Sequence, residues 1–503
     1  MMSNPNLSPP REFVDFWNAL RPHLQLGDVP PTPVALRPPR TVAFEEPLRQ
    51  SLARLVGEDN VLCSPEVCRR YAGGKTYAGF IRRHTDDSSP LAIVRPKNEQ
   101  VIAELMLWAG SRAIQLLPWG GGTDPYRGKS ESGEGFITVC FDHLSEILNV
   151  DEEHQTLQVQ AGAGWLEVEE VLNTRNLTTA LVFPSPDATL GGRAACGAIG
   201  LKALEYGSLA DHILGMRAIT PAGLMVLEQP TPETSDPRCI MLGTYGRWGV
   251  ITELSLRIFP RPAEKTHLIA SFQRWDEAID VLKSLMKQDL KLTTARIIPN
   301  QALSLFGIDI SSKLLQIMRS MRSPSWEAHL ILEIEGSREI VNATKNQIQR
   351  KLQERDVQIT GNGKIPPANH TMQAQRQVLL KHLWHRGILA HVIAARVPWR
   401  KTTAFLSDWR ESLNSVLRAT SGKPGMTLTE IYASRDHAIL ETLLLGHQNR
   451  EEPAALQEQL QSIQSVAQEI RKRWDVEREP AALLTQVREV MARTLDPQEV
   501  MMR

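Results

Sequence analysis

The 503-residue sequence predicts an α+β protein in two parts. Between Leu91 and Pro262, strands and helices alternate around glycine-rich turns, which marks a first folded region. Beyond Pro260 and Pro262 the pattern changes to three successive strand, helix, strand units, HLIASF to ARIIP, HLILEIEG to VQITG, and ILAHVIAARVPW to LTEIYA. Units of that kind resemble an antiparallel sheet with helices on one face. The length suffices for two or three domains and a large core.

Taken in order, nine of the 32 prolines fall in the first 40 residues. Because proline removes a donor and fixes φ, residues 1–44 are expected to form an extended, proline-rich arm. LRQSLARLVG then reads as a short helix. LAIVRP, the helical stretch NEQVIAELMLWAGS and IQLLPWGGGT make a strand, helix, strand unit, so the triple glycine follows a strand. GFITVCFDHL, TLQVQAGAG and the helix WLEVEEVLNTRNL continue the alternation, and ILGMRAITPAGLMVL and GVITELSLRIFPRP close the first domain at residue 262. The second domain is expected over 263–475. Within it, Leu456, Leu460, Ile463, Val466, Ile470 and Trp474 fall three or four apart, the period of an amphipathic helix. A last helix is expected within 476–503, starting near Pro480 and stopping before Asp496 and Pro497.

Lys plus Arg and Asp plus Glu both number 57, so no global field draws the chain to nucleic acid. The five cysteines are scattered without a CxxC pair, which argues against a zinc site or a disulfide framework and fits a reducing cytoplasm. The N-terminus lacks a continuous apolar run, and GILAHVIAARV around His391 is too short and too polar to span a bilayer. Peripheral membrane contact stays open.

The chemistry is expected at the glycines. Gly120 to Gly122 carry no Cβ, so successive amide N–H groups can turn toward a phosphate; a tight surface turn is the plain alternative. Leu116, Leu117 and Pro118 make an apolar strand end before them, and Thr123 and Asp124 add polar groups. In PSPDATLGGRAACGAIG, Gly191, Gly192 and Gly197 to Gly200 let a backbone pass close to a flat ligand. A third cluster, GTYGRWGVIT, heads a strand. Two glycine-rich turns at this separation suggest one long dinucleotide held at both ends, with FAD the leading candidate. A Walker A reading of GGTDPYRGKS fails, because five residues separate Gly122 from Gly128 where a phosphate loop needs four, and no GxGxxG follows a strand.

Pro118 to Asp124, DHLSEILNVDEEHQTLQVQAGAGWLEVEEVL, TLGGRAACGAIGLKALEYGSLADHILGMRAITPAG and GTYGRWGVITELSLRIFPRP together resemble the FAD-binding PCMH-type domain of the vanillyl-alcohol oxidase superfamily. Within it the wording is most similar to the alkyldihydroxyacetonephosphate synthases, and more distantly to the D-lactate and glycolate dehydrogenases. The resemblance is strong from Leu91 to Pro262, weakens through the second domain, and returns in VREVMARTLDP, similar to the family's closing helix. It implies a two-part FAD-binding domain with an antiparallel-sheet α+β cap, and a C-terminal helix returning to the FAD domain. It also implies that Pro118, Trp119, Gly120, Gly121, Gly122, Thr123 and Asp124 hold the FAD pyrophosphate. Pro186, Asp187, Ala188, Thr189, Gly191, Gly192, Cys196, Gly197, Ala198 and Ile199 would line the cofactor, and Tyr245, Gly246, Gly249, Val250 and Ile251 would close its other side. Trp119 precedes the glycines, so noncovalent FAD is expected.

The departures concern catalysis. The family's cap contributes an arginine near the flavin, and Arg296 in TTARIIPN stands at the corresponding place, where a guanidinium can hold a carboxylate or phosphate; a surface arginine at a strand start is the alternative. The histidine-rich segment expected before the final helix is replaced by VEREPAALL, and HAILETLLLG lacks the expected tyrosine. GHQN and Asp436–His437 lack paired-histidine spacing, so no metal site is expected. His437, Tyr432 and His391 are the candidates for a base, in that order. Tyr245 stands where many relatives carry an acidic residue.

The expected function is an FAD-dependent oxidoreductase that takes a hydride from a small anionic substrate, a 2-hydroxy acid or phosphorylated alcohol, and passes the electrons to an unspecified acceptor. Ether-bond formation of the alkyldihydroxyacetonephosphate synthase kind and a catalytically decayed FAD-binding protein are the alternatives. Homodimer formation stays open.

Overall fold

The computed structural model describes residues 11–27, 45–77, 79, 81, 89–123, 135–183, 185, 187–230, 236–288, 290–305, 326–357, 359–361, 382–449, 453–476, 490–491 and 493–501. The described residues fall into two compact units. One comprises those within 36–200, 207–261 and 479–503; the other comprises those within 1–35, 201–206 and 262–478.

Among the described residues, the first unit holds a four-stranded sheet, a five-stranded sheet and a two-stranded pair. In the four-stranded sheet, β1 (Val61–Leu62), β2 (Ala92–Val94), β4 (Phe136–Cys140) and β3 (Gln115–Trp119) are ordered β1-β2-β4-β3, with β4 parallel to both β2 and β3. β2 and β3 therefore run parallel on either side of β4, which requires a crossover between them, and the helix Glu99–Gly110 supplies it. Its start is set by Asn98, whose side chain accepts a hydrogen bond from the Val101 N–H at 2.9 Å. Ile102, Leu105, Met106 and Ala109 of this helix are buried in the same core as β2 and β4. Into that core the chain's last described residues also fold: the Leu116 N–H donates to the Val500 carbonyl at 2.7 Å, and Asp496 accepts from the Val500 and Met501 N–H groups.

The five-stranded sheet is antiparallel and takes the order β5-β6-β10-β8-β9, formed by β5 (Ile147–Asp151), β6 (Thr156–Gln160), β8 (Ile213–Thr220), β9 (Gly223–Glu228) and β10 (Val250–Arg257). β7 (Leu177–Thr178) pairs separately with β11 (Phe259–Pro260). The helix Trp165–Asn173 buries Trp165, Val168 and Leu172, spaced three and four apart, against Leu157, Val159 and Leu254.

The second unit is a seven-stranded antiparallel sheet. Its order is β15-β12-β14-β13-β17-β18-β16, from β12 (Glu264–Phe272), β13 (Thr294–Pro299), β14 (Ala328–Gly336), β15 (Ile359–Gly361), β16 (Ile388–Pro398), β17 (Met426–Ala433) and β18 (His437–His447). The three predicted strand, helix, strand units are all present, with helices Trp275–Met286, Arg338–Gln353 and Thr402–Ser421 between their strands. The last of these buries Phe405, Trp409, Leu413, Val416 and Leu417, each such side chain contributing roughly 1.5–3 kcal/mol. Trp409 reaches the sheet through a 2.9 Å hydrogen bond from its Nε1 to Thr442 Oγ1.

Two parts of this unit differ from the sequence expectation. Arg11–Leu20 is a helix, not part of an extended arm, and Phe13, Phe16, Leu20 and Leu24 are buried. The prolines Pro9, Pro10 and Pro22 flank that window without entering it, and the apolar residues inside it recur at helical spacing. The rest of 1–44 lies outside the described residues. Residues 201–206, expected within the first domain, make their contacts in the second unit. Lys202 pairs with Glu335 at 2.7 Å, Lys291 with Glu205 at 3.1 Å, and Arg435 Nη2 donates to the Glu205 carbonyl at 2.9 Å. No described helix is long and apolar enough to cross a membrane.

Candidate FAD-binding site and a buried polar set

β3 delivers its C-terminal end to the triple glycine, and what meets that turn decides the reading of it. A Cβ placed on Gly121 would lie 1.7 Å from the Asp187 carbonyl oxygen and 2.9 Å from the Ala188 Cα. Main chain therefore packs on main chain, and only glycine fits. A Cβ on Gly120 would meet Thr189 Oγ1 at 2.4 Å. Gly122 has φ +68° and sits against the Trp119 ring, which in turn packs on Tyr71 at 5.1 Å between centroids. The first two glycine clusters are thus in direct contact.

The second cluster is built by a helix start. Thr189 caps the helix Leu190–Ala195, its Oγ1 accepting from the Gly192 N–H at 3.2 Å. The Leu190 and Gly191 N–H groups donate to the Ala163 and Ala161 carbonyls, which lays the helix start on the segment after β6. Ser185 is held by its carbonyl, which accepts from Trp165 Nε1 and from Arg193 Nη2, each at 3.1 Å.

The end of the same helix receives the third cluster. The Gly243 N–H donates to the Ala194 carbonyl at 3.3 Å and the Tyr245 N–H to the Ala195 carbonyl at 2.8 Å, while Gly197, at φ +59°, comes within 3.4 Å of the Gly243 Cα by its ideal Cβ. Tyr245 itself holds φ +58°, an uncommon conformation for a side-chain-bearing residue. Gly249, Val250 and Ile251 lead into β10, where Val250 and Ile251 pair with Ile219 and Ala218. Pro118, Trp119, Gly120, Gly121, Gly122, Thr123, Asp187, Ala188, Thr189, Gly191, Gly192, Cys196, Gly197, Ala198, Ile199, Tyr245, Gly246, Gly249, Val250 and Ile251 all lie in the first unit; Asp124 and Pro186 fall outside the described residues. A backbone cradle from three separated stretches, too close for side chains, suits a dinucleotide's phosphates.

In the second unit, β13 and β17 pair so that Arg296 stands opposite Tyr432. Between them lies Glu430. Its Oε2 accepts from Arg296 Nη2 at 2.9 Å and from the Tyr432 hydroxyl at 2.7 Å, and the guanidinium carbon is 5.3 Å from the Tyr432 ring centre. All three residues are buried. Burial disfavours the guanidinium charge, but the Glu430 carboxylate together with Tyr432 and Glu333 outweighs it and the Arg296 pKa is raised. Burial, and then the Glu430 charge, push the Tyr432 phenol well above its usual value, so Tyr432 is a proton donor at neutral pH. Arg296 is therefore a buried, paired group and not a surface arginine.

The other base candidates separate by strand alternation. His437 opens β18 opposite Pro398, and its pKa is lowered by burial and then by Arg396. His391 pairs with Leu444, and the register places it on the face of Thr442, which bears the helices; Arg296 and Tyr432 occupy the opposite face. His391 accordingly does not join them. Glu430 escaped the sequence reading, although its position two residues before Tyr432 in a strand puts the two on one face. Among the described residues, no group of three or more His, Cys, Asp or Glu side chains could hold a metal.

Residues 90–227, which include the first two glycine clusters, match the family model of the FAD binding domain. That stretch is similar to the FAD binding domain, and the chain around it is similar to FAD-linked oxidoreductases of the vanillyl-alcohol oxidase superfamily. The chain is 25% identical over 353 residues to alkyldihydroxyacetonephosphate synthase of Caenorhabditis elegans, covering 66% of this chain and 58% of that one. To the mitochondrial D-lactate dehydrogenase [cytochrome] of Arabidopsis thaliana it is 25% identical over 252 residues, covering 49% and 43%. The chain thus spans about half the length of these curated relatives. Its fold matches a solved alkyldihydroxyacetonephosphate synthase with TM-score 0.80 at 18% identity, over 99% of this chain and 92% of that one. It matches p-cresol methylhydroxylase with TM-score 0.69 at 12% identity, over 93% and 98%. The superfamily resemblance read from the glycine motifs and the α+β fold class are both borne out.

Proposed function

We propose that this protein is an FAD-dependent oxidoreductase that oxidises a small anionic substrate, a 2-hydroxy acid or a phosphorylated alcohol, with FAD held noncovalently. The supporting observation is the backbone contact between Gly121 and Asp187, joined through the helix Leu190–Ala195 to Gly243 and Tyr245. When bound, FAD supplies a hydride acceptor. Arg296 supplies the charge for the substrate anion, and its pairing with Glu430 orients the guanidinium while leaving its remaining N–H groups for a carboxylate. Tyr432 donates to the same Glu430 oxygen and so fixes that carboxylate beside the arginine. His437, with its lowered pKa, is a neutral imidazole suited to accept a proton.

Purified protein is expected to be yellow and to release FAD on heating. Under anaerobic conditions, D-lactate, glycolate or 2-hydroxyglutarate should bleach the flavin band, and Arg296→Ala should abolish the bleaching. A pigment that stays with the denatured chain would overturn noncovalent binding. A bound flavin inert to every acid and to oxygen would favour a decayed enzyme.

A second reading rests on the solved alkyldihydroxyacetonephosphate synthase, whose fold this chain follows over 99% of its length. Ether-bond formation would be read as exchange of an acyl group for a fatty alcohol on dihydroxyacetone phosphate. Absence of turnover in that assay would dismiss it.

A further inference from the structure

The family match begins at residue 90, and the sequence motifs begin at Pro118, yet an earlier segment reaches the phosphate cradle. The Lys75 N–H donates to the Gly122 carbonyl at 2.6 Å, which ties that residue's backbone to the triple glycine. The Lys75 ammonium lies 3.7 Å from Asp187 Oδ2, and Asp187 is the residue whose carbonyl packs on Gly121. Ammonium and cradle therefore share one neighbour. The segment carrying the lysine is closed on itself: a Cβ on Gly73 would lie 2.1 Å from the Gly79 oxygen, and the Gly79 N–H donates to Thr76 Oγ1 at 3.1 Å. Both side chains of the pair are partly exposed, and such a pair by itself contributes little to stability.

We infer that Lys75 is a ligand of the dinucleotide's pyrophosphate, supplying the full positive charge that a cradle of amides lacks and offsetting the Asp187 carboxylate beside it. The inference rests on the reading of Gly120 to Gly122 as the pyrophosphate site. Backbone N–H groups offer only partial charges, whereas an ammonium adds a charge-assisted hydrogen bond to a phosphate oxygen. Asp187 would repel the same phosphate, so the lysine exchanges one anionic partner for another when the dinucleotide arrives.

The test uses the full chain freed of bound flavin, with FAD and riboflavin binding followed by fluorescence titration. Lys75→Gln should raise the FAD Kd roughly tenfold and flatten the dependence of that Kd on salt. Binding of riboflavin, which has no phosphate, should not change between wild type and variant. Lys75→Arg should restore FAD binding to within about threefold of wild type, and Asp187→Asn should leave it unchanged or tighter. Equal FAD affinity in wild type and Lys75→Gln overturns the inference and leaves the FAD reading standing. So does an Asp187→Asn loss equal to that of Lys75→Gln, because the pair would then be a brace. A wild-type chain that binds no FAD overturns the reading of the cradle itself.

Discussion

Arg296 and Glu430 form a buried ion pair, Nη2 to Oε2 at 2.9 Å, in the middle of the seven-stranded sheet. Taking two charges out of water costs several kcal/mol per ion, and each is tolerable there only because of the other. Removing one partner should cost more than removing both. Arg296→Ala is expected to destabilise the protein by about 3–5 kcal/mol, and Arg296→Met combined with Glu430→Leu by less. Urea unfolding of the three proteins checks this. An Arg296→Ala loss no larger than that of the double variant would mean that the Tyr432 hydrogen bond is enough to hold Glu430 buried without the arginine. Bleaching lost in Arg296→Ala must be read beside this stability, so Arg296→Lys, which keeps the charge, is the cleaner kinetic variant.

A second charged group in the same sheet sets a pH dependence. Glu333 is buried beside His267 Nε2, which donates to its Oε2 at 2.9 Å, and beside Lys265. Burial alone would raise the carboxyl, but the His267 hydrogen bond and the Lys265 and Lys202 charges outweigh it and lower the pKa from 4.5 to about 2. A carboxyl depressed on folding contributes stability above its unfolded pKa and loses it as pH falls through the folded one. The window here is pH 4.5 to about 2, and the contribution lost is on the order of 3 kcal/mol. The stability difference between wild type and Glu333→Gln should therefore be full at pH 7 and shrink through that window. A difference constant from pH 7 to pH 2.5 would sink the assignment.

The glycine motifs were legible because a missing side chain is itself a signal: a turn without Cβ atoms either bends tightly or lets something approach. The structure adds which backbone approaches which, Asp187 on Gly121 and Gly243 on Gly197, and sequence spacing does not contain that pairing. Strand and helix periods placed all three units of the seven-stranded sheet, since each apolar face recurs within its own window. The helix Arg11–Leu20 was lost because proline counting averages over forty residues, while helix formation depends on the ten that carry no proline. Glu430 was hidden for a different reason. A charged residue in an apolar strand reads as an exposed edge until the opposite strand supplies its arginine, and that partner lies 134 residues away. Lys75 was hidden likewise, its partners being the Gly122 carbonyl and the Asp187 carboxylate, both distant in sequence.

The contact at Gly121 predicts a sharp effect from one methyl group. Because the obstructing atoms are the Asp187 carbonyl and the Ala188 Cα, no side-chain rotation can relieve a Gly121→Ala clash, and one of the two turns must move. Overpacking of this kind costs about 1–3 kcal/mol. Gly223→Ala serves as a control, since nothing lies within 4 Å of its ideal Cβ and its cost arises from backbone strain alone. Gly121→Ala is expected to lose FAD during purification while Gly223→Ala retains it, as read by the ratio of flavin to protein absorbance. Equal retention in both would separate the Gly121 turn from the cofactor.

Cysteine reactivity offers a map of the site that requires no turnover. Cys68 and Cys140 are buried; desolvation, followed by the influence of Cys63 on the first and Asp142 on the second, pushes their thiols up to about 11 and about 12. The thiolate is the reactive form, so neither should label with iodoacetamide at pH 8. Cys196 is half-buried at the end of the helix Leu190–Ala195, one residue before Gly197, where the second and third glycine clusters meet. Cys239 is exposed in the same unit, in the turn Pro237–Ile240, and its thiol is raised by burial and then by Asp236. Labelling followed by peptide mass mapping should therefore show Cys239 modified whether or not FAD is present. Cys196 should be modified in the flavin-free chain and protected when FAD is added, with ADP giving weaker protection. If FAD left Cys196 labelling unchanged while still binding to the protein, the cofactor would have to lie elsewhere than against residues 196–199, and the lining assigned to the second cluster would be withdrawn.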